Sequence, residues 1–283
     1  MVQALLSNEP IIRFGAFVAI LATMAVWELL APRRRMDLPR LLRWSNNIGL
    51  VVLDSLVLRL GFPILAGGMA VLAAQHGWGL FNWLALPGWA GFIMGFLLLD
   101  LAIYAQHATF HAVPWLWRLH RMHHADQDFD LTTGLRFHPG EIILSIAIKL
   151  GLVLTLGLSP ITVLVFEVVL NASAIFNHAN VKLPAALDRA LRLIIVTPDM
   201  HRLHHSVNPL ETHSNFGFNL PWWDWIFRTY RAQPIAGHDA MTIGLPQFRT
   251  ARDQWIDRML LQPFITPAAV SPPPGAPAGS DAP

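Results

Sequence analysis

Long apolar runs separated by short polar stretches set the pattern of this chain. Four regions hold the ~20 predominantly apolar residues that a spanning helix needs: about 11–31, about 47–74, about 87–106, and 141–176. The last is too long for one span. LGLSP at 156–160 places a glycine and a proline near its middle, so it reads as two shorter helices forming a hairpin. The pattern predicts an all-α integral membrane helical bundle with four to five apolar helices, four if the hairpin only dips into the bilayer. The opening MVQALLSNEP lacks the basic region and small-residue cleavage site of a secretory signal, so the first apolar segment is read as a retained transmembrane helix. Residues 1–267 read as one membrane domain. The stretch 268–283 is almost entirely Ala, Pro, Gly and Ser, cannot bury enough apolar area to order itself, and is read as a disordered tail.

Composition agrees with this class. Hydrophobic residues make up 54% of the chain and charged ones 13%, well under the roughly 25% charged of soluble domains; mean hydropathy is +0.44. Arginines gather beside apolar segments and form no aromatic-studded basic face, which argues against a nucleic-acid partner. There is no cysteine, which excludes disulfides, thiolate zinc sites, cysteine-ligated clusters and a cysteine nucleophile. Arg33, Arg34, Arg35, Arg40 and Arg43 lie between the first two apolar regions, whereas 75–86 carries no Lys or Arg. The positive-inside tendency puts 32–46 in the cytoplasm. Counting crossings then puts 75–86 outside, 107–140 inside and 177–283 inside. The Ala/Arg/Pro-rich composition leans towards a bacterial inner membrane, although an endoplasmic-reticulum protein has a similar one. Asp54, Arg59, Asp100, Lys149 and Glu167 fall within apolar segments, where ionisable groups usually pair or face the bundle interior. Folding the hairpin at Ser159–Pro160 brings Lys149 and Glu167 to nearly equal depth and predicts an ion pair.

Against this background the histidines stand out. Five lie in HATFHAVPWLWRLHRMHH at 107–124 and three in HRLHH at 201–205. His107 and His111 are spaced i, i+4; His120, His123 and His124, like His201, His204 and His205, are spaced i, i+3, i+4, so each set shares a helix face. Crossing counts place both clusters on the same, cytoplasmic side of the membrane as a helical cap. Convergent charged imidazoles would repel and neutral ones would need many buried partners; a metal that takes the neutral lone pair resolves both. Eight ligands exceed one tetrahedral site and point to two ions, of zinc, copper, iron or nickel. His178 in IFNHAN ends the hairpin on the same side and is a ninth candidate. His138 in LRFHPGE is either a further ligand or an outer partner of one, and His213 supports the site without ligating. His76 and His238 read as unrelated. Amphipathic 183–196 reads as an interfacial helix, and the tryptophans of PWWDWIF at 221–227 as interface anchors.

The three boxes HATFH, HRMHH and HRLHH, with LTTGLRFHPGE, FNHAN and SNFGFNLPWWDWIFRTY between and after them, resemble the fatty acid hydroxylase/sterol desaturase superfamily over about 90–231. The resemblance implies a membrane-bound non-haem di-iron oxygenase that uses O2 and two electrons to hydroxylate or desaturate a C–H bond of a lipid drawn from the bilayer. Its metal ligands would be His107, His111, His120, His123, His124, His178, His201, His204 and His205. Two positions depart from the pattern: Arg228 stands where the family commonly has glycine, and His213 where other polar residues are common. No dinucleotide fingerprint is present and HPGE begins a hydrophobic hairpin instead of a haem domain, so electrons are expected from a separate reductase, ferredoxin or cytochrome b5-like donor. Two other classes fit a histidine-rich membrane chain. A transition-metal transporter would carry ligands along the middle of its spans. A di-zinc hydrolase would need a general base, for which Asp126, Asp128, Asp199 and Glu211 are nearby.

Overall fold

The computed structural model describes residues 7–266; the proposed tail at 268–283 lies outside the described residues. Among the described residues no strand forms, and five segments are long and apolar enough to cross a membrane. The first is α1 (Glu9–Leu30). The second, Arg40–Trp83, is not the continuous helix expected over 47–74. It divides into α2 (Arg40–Gly61), α3 (Ala66–His76) and the short α4 (Leu80–Trp83). Pro63 explains the break, because it lacks an N–H and restricts the residue before it to extended conformations. Then come α5 (Gly88–Ala112), α6 (Pro114–His124), α7 (Pro139–Leu156) and α8 (Pro160–Asn177).

The α7–α8 hairpin turns as LGLSP predicts. Gly157 ends α7 in the left-handed region (φ 69°), and the Ser159 side chain accepts the Thr162 N–H while Pro160 opens α8. Gly157 also admits a close neighbour, since a Cβ there would sit 2.4 Å from the Trp78 carbonyl. The hairpin tip therefore touches the 77–82 turn at one end of the bundle. At the other end, the Arg33 N–H donates to the Asn180 carbonyl (2.7 Å), just beyond α8. The arginine-bearing link and both histidine stretches thus share one end, as counting crossings requires.

Below the cap, Leu99, Val153, Val163 and Phe166 pack against Ala66 and Ala70 of α3. Lys149 Nζ donates to Glu167 Oε1 at 2.9 Å, the expected pair, and Arg13 of α1 closes on Glu167 Oε2 at 2.9 Å. The interfacial helix expected over 183–196 is shorter, α9 (Ala185–Leu191), with Leu187, Leu193 and Ile194 exposed. Helix α10 (Pro198–His204) carries the third histidine box; α11 (Pro209–Thr212) and α12 (Trp222–Ile226) follow. Trp223 Nε1 donates to Asp100 Oδ2 of α5 (2.8 Å) while Trp222 and Trp225 stay exposed. The tryptophan segment thus lies along a spanning helix, one ring tying it down and two left outward.

Candidate metal centre

All three histidine boxes lie on helices. HATFH occupies the final turns of α5, which runs on to Ala112 instead of stopping at 106. HRMHH ends α6, and HRLHH ends α10 with His205 as its C-cap. His178 is the C-cap of α8. These four helix ends bring the nine imidazoles into two buried groups. His107, His111, His120, His124 and His204 form the first; His123, His178, His201 and His205 form the second. Within each group one nitrogen per ring lies within 4.8 Å of all the others.

Helical geometry decides who joins which group. Successive residues turn by about 100° at 3.6 residues per turn, so i and i+4 differ by about 40° and i+3 and i+4 by about 100°. Accordingly His107 stays with His111, His120 with His124, and His201 with His205, whereas His123 and His204 cross to the other group. H-x-x-H-H is therefore a device by which one helix end serves two centres.

Outer contacts fix several tautomers. His107 Nδ1–H donates to the Phe216 carbonyl (2.9 Å) and His204 Nδ1–H to the Ser214 carbonyl (2.7 Å). A carbonyl can only accept, so both Nε2 atoms carry lone pairs, yet they stand 2.9 Å apart. No hydrogen bond can form between two such atoms. Likewise His178 Nδ1–H donates to the Ala174 carbonyl (2.8 Å), leaving its bare Nε2 3.2 Å from His123 Nε2 and 3.0 Å from His201 Nε2. Two ligands about 2.1 Å from one ion at right angles stand about 3.0 Å apart, so the spacing fits shared cations. His120 Nε2 and both ring nitrogens of His205 are buried without a partner. Burial pushes His123, His124, His201, His204 and His205 well below the usual histidine value, and His178 down to about 3, which keeps the rings neutral and able to ligate.

Supporting residues come from elsewhere in the chain. Glu141, in the first turn of α7, accepts from His120 Nδ1 at 2.8 Å, the carboxylate–histidine arrangement that orients metal ligands. Asp224 accepts the N–H groups of Phe216 and Gly217 (both 2.8 Å) and the Thr229 hydroxyl, so it holds the 214–217 loop whose carbonyls fix His107 and His204. Arg43 is fully buried and bonds Asp126 through two nitrogens (2.9 and 2.7 Å) and also Asp130, tying α2 to the turn after α6. Burial alone would raise the Asp126 pKa; Arg43 and Arg136 hold it below the usual range. Gly134 lets that turn press on α8, since a Cβ there would meet the Ala174 carbonyl at 2.4 Å.

His138 and His213 stay outside both groups. His138 Nδ1 accepts the Gly140 N–H as the N-cap of α7 and its Nε2 lies 3.3 Å from the Leu260 carbonyl. His213 is exposed, its ring 5.5 Å from that of His111. His76 stacks on Trp78 at the opposite end, and His238 is buried near Asp199. The acids considered as general bases are engaged otherwise: Asp126 with Arg43, Asp128 with the Asp37 and Leu38 N–H groups, Asp199 with Arg202, Glu211 with the Ile235 N–H. The groups sit at one end of the spans, not along their middle. Beside them lies a cavity of about 320 Å³ that reaches His107, His120 and His123 and extends between α1, α2, α5, α7 and α8.

Comparison with known proteins points the same way. Residues 92–229 match the fatty acid hydroxylase family. Over half of this chain and 42% of its own length, the ornithine lipid hydroxylase of Rhizobium tropici is 31% identical. The alkylglycerol monooxygenase of Danio rerio is 28% identical over 66% of this chain and 41% of its own; the cholesterol 25-hydroxylase of Rattus norvegicus is 29% identical over 49% and 46%. The chain thus spans less than half the length of these curated relatives, and no solved structure matches it. The matched region, just under half of the chain, contains all nine converging histidines, and that region belongs to the fatty acid hydroxylase family.

Proposed function

We propose that this protein is an integral-membrane, O2-dependent hydroxylase of a lipid, working through two non-haem irons. The observation that carries the reading is the approach of His107 Nε2 to His204 Nε2, two bare lone pairs 2.9 Å apart in a fully buried site. A cation between them turns repulsion into ligation. The first iron would be held by His107, His111, His120, His124 and His204, the second by His123, His178, His201 and His205. Family membership favours iron over the other imidazole-binding metals. When bound, the pair supplies the redox chemistry that lets O2 attack an unactivated C–H bond, which acid–base side chains cannot do.

The chain's own residues do the rest. Glu141 and the Phe216, Ser214 and Ala174 carbonyls hold the rings in one tautomer. Phe110, Phe137 and Ile142 wall the cavity next to the histidines and exclude water from the carbon to be oxidised. Ser55, exposed on α2, and Phe17 of α1 both line the cavity. A lipid chain would pass between those two helices straight from the bilayer. The arginine-bearing link at the histidine end supports a cytoplasmic location for the centre, where a separate donor delivers two electrons. Hydroxylation is favoured over desaturation because the relatives named above are hydroxylases and monooxygenases.

Anaerobically purified protein supplied with iron, a reductase system, O2 and a lipid extract is expected to yield a product 16 mass units heavier than its precursor. With the reductant omitted, product should not exceed one turnover. Sustained turnover without reductant, or equal product under nitrogen, would contradict the reading.

A further inference from the structure

A second recess, of about 200 Å³, opens at the histidine end of the bundle. It is shared by the arginine-bearing link (Arg34, Arg35, Asp37), the turn after α6 (Asp128, Phe129), the 240–243 stretch and Arg249. None of the residues lining it lines the cavity that reaches His107, His120 and His123.

One layer of side chains separates this recess from the second histidine group. Phe129 lines the recess and is only 4% exposed. Its ring lies 5.5 Å from that of His178, 5.0 Å from that of His205 and 6.4 Å from that of His201. Met241 and Ile243 pack with Phe129 and complete the wall. A backbone link runs beside it, since the Gly244 N–H donates to the His205 carbonyl at 3.0 Å. The His205 ring stacks on that of His124 at 4.4 Å, which joins the second group to the first.

The charge of the recess is uneven. Arg34, Arg35 and Arg249 line it against Asp37 and Asp128, which leaves one cation in excess. Asp199 and Asp239 nearby do not redress the balance, because Arg202 and Arg33 take them. Among the described residues Arg34, Arg35 and Arg249 form no ion pair. Arg249 donates to the Ile243 and Leu245 carbonyls, both at 3.0 Å. Asp128 spends its oxygens on the Asp37 and Leu38 N–H groups, and Arg34 Nη1 is buried with no hydrogen-bond partner. Metal cations held behind Phe129 by the second group have the same sign, so they add to this field.

Building on the hydroxylase reading, we propose that this recess is the docking site of an acidic one-electron carrier protein and that Phe129 carries its electron to the second group. A carboxylate side chain of the carrier enters the recess and meets Arg35 and the unpartnered Nη1 of Arg34. Each docking oxidises the carrier by one electron and reduces one ferric ion held by the histidines to ferrous, so two dockings supply the two electrons of a turnover. Electron transfer slows steeply with the thickness of protein crossed, and here a single ring intervenes. Redox encounters bury little surface, and charge sets their rate of association, so a small cationic recess suffices. Lipid and carrier then use separate openings, the lipid the cavity at the first group and the carrier the recess at the second.

The test uses iron-loaded, detergent-solubilised protein and two probes of opposite charge, an acidic plant-type [2Fe–2S] ferredoxin and basic cytochrome c. Ferredoxin should bind and cytochrome c should not, and salt at about 0.5 M should release the ferredoxin. Arg35→Glu, at an exposed position outside any ion pair, should weaken ferredoxin binding about tenfold, and Arg35→Lys should keep it. Arg258→Glu, exposed and outside the recess, should leave binding unchanged. Phe129→Leu should bind ferredoxin normally yet accept its electron severalfold more slowly, read by stopped-flow loss of ferric absorbance per iron. No ferredoxin binding, cytochrome c bound as tightly, or equal weakening by Arg258→Glu and Arg35→Glu overturns the docking site. An unchanged reduction rate per iron in Phe129→Leu, as a merely packing role requires, overturns the route. A chain that binds ferredoxin but no iron would sink the hydroxylase reading alone.

Discussion

The two histidine groups share the ends of α6 and α10, one adding α5 and the other α8, but they are held differently. In the first, three of five rings donate their second nitrogen to a fixed acceptor: His107 to Phe216, His204 to Ser214 and His120 to Glu141. In the second, only His178 does so, through Ala174 of its own helix; the Nδ1 atoms of His123, His201 and His205 are buried and unpartnered. The first group also gives two rings to the cavity wall, the second only His123. The better-oriented group is thus the one that faces the cavity most fully. Orientation of ligands by outer partners is worth roughly 10- to 100-fold in metal affinity or activity, so the first group should keep tighter geometry and the second should tolerate more movement.

The largest effects break a group outright. His204→Ala in the first group and His201→Ala in the second should each reduce turnover to background, with iron content measured beside activity. Because H-x-x-H-H serves both groups, each variant should also weaken the other centre. Retention of full activity by either would refute the two-group assignment. Next comes Glu141→Gln, which keeps the shape but removes the carboxylate charge from His120; turnover should fall about 10- to 100-fold while the fold survives. Among the described residues the second group has no equivalent carboxylate, so this variant separates the two.

A smaller effect is expected at Asp224. Burial lifts its pKa to about 6 despite donors from Thr229, Gly217 and Phe216. Above that value it is the anion that holds the 214–217 loop; below it the proton removes an acceptor. The acidic limb of the pH–rate profile should therefore fall near pH 6, and Asp224→Asn should flatten it at about a tenfold lower rate. An unchanged acidic limb in Asp224→Asn would show that the loop is held otherwise.

The smallest effect lies away from both groups. Arg228 adopts φ 60°, a left-handed conformation that costs a residue with a Cβ about 1–2 kcal/mol. Arg228→Gly should raise thermal stability by up to about 1 kcal/mol, less the extra entropy glycine loses, without altering turnover.

Much of the site was legible because its information is local. The i, i+4 and i, i+3, i+4 spacings are properties of single helices, and they identified eight of the nine rings that converge; His178 was found from its place at the end of the hairpin. The division into two groups was not read from the boxes, although the angle between His123 and His124 contained it. Glu141, Asp224 and the Phe216 and Ser214 carbonyls escaped notice because they act across more than ten positions or through backbone atoms, which leave no periodic trace. Arg43 was taken for a membrane-flanking charge; its true partners, Asp126 and Asp130, lie more than eighty positions away. Lys149 with Glu167 was foreseeable from the fold of one hairpin, whereas Arg13 arrives from a third helix. The helix over 47–74 failed at Pro63, a local signal that hydrophobicity outweighed in the reading.

The most direct test of the whole account is the metal content of protein purified without chelating resins and reconstituted under nitrogen. Two irons per chain, with both lost or weakened in His204→Ala and His201→Ala alike, is the predicted result. A chain that holds no iron, or one that holds two zincs and still oxidises lipid, would contradict it.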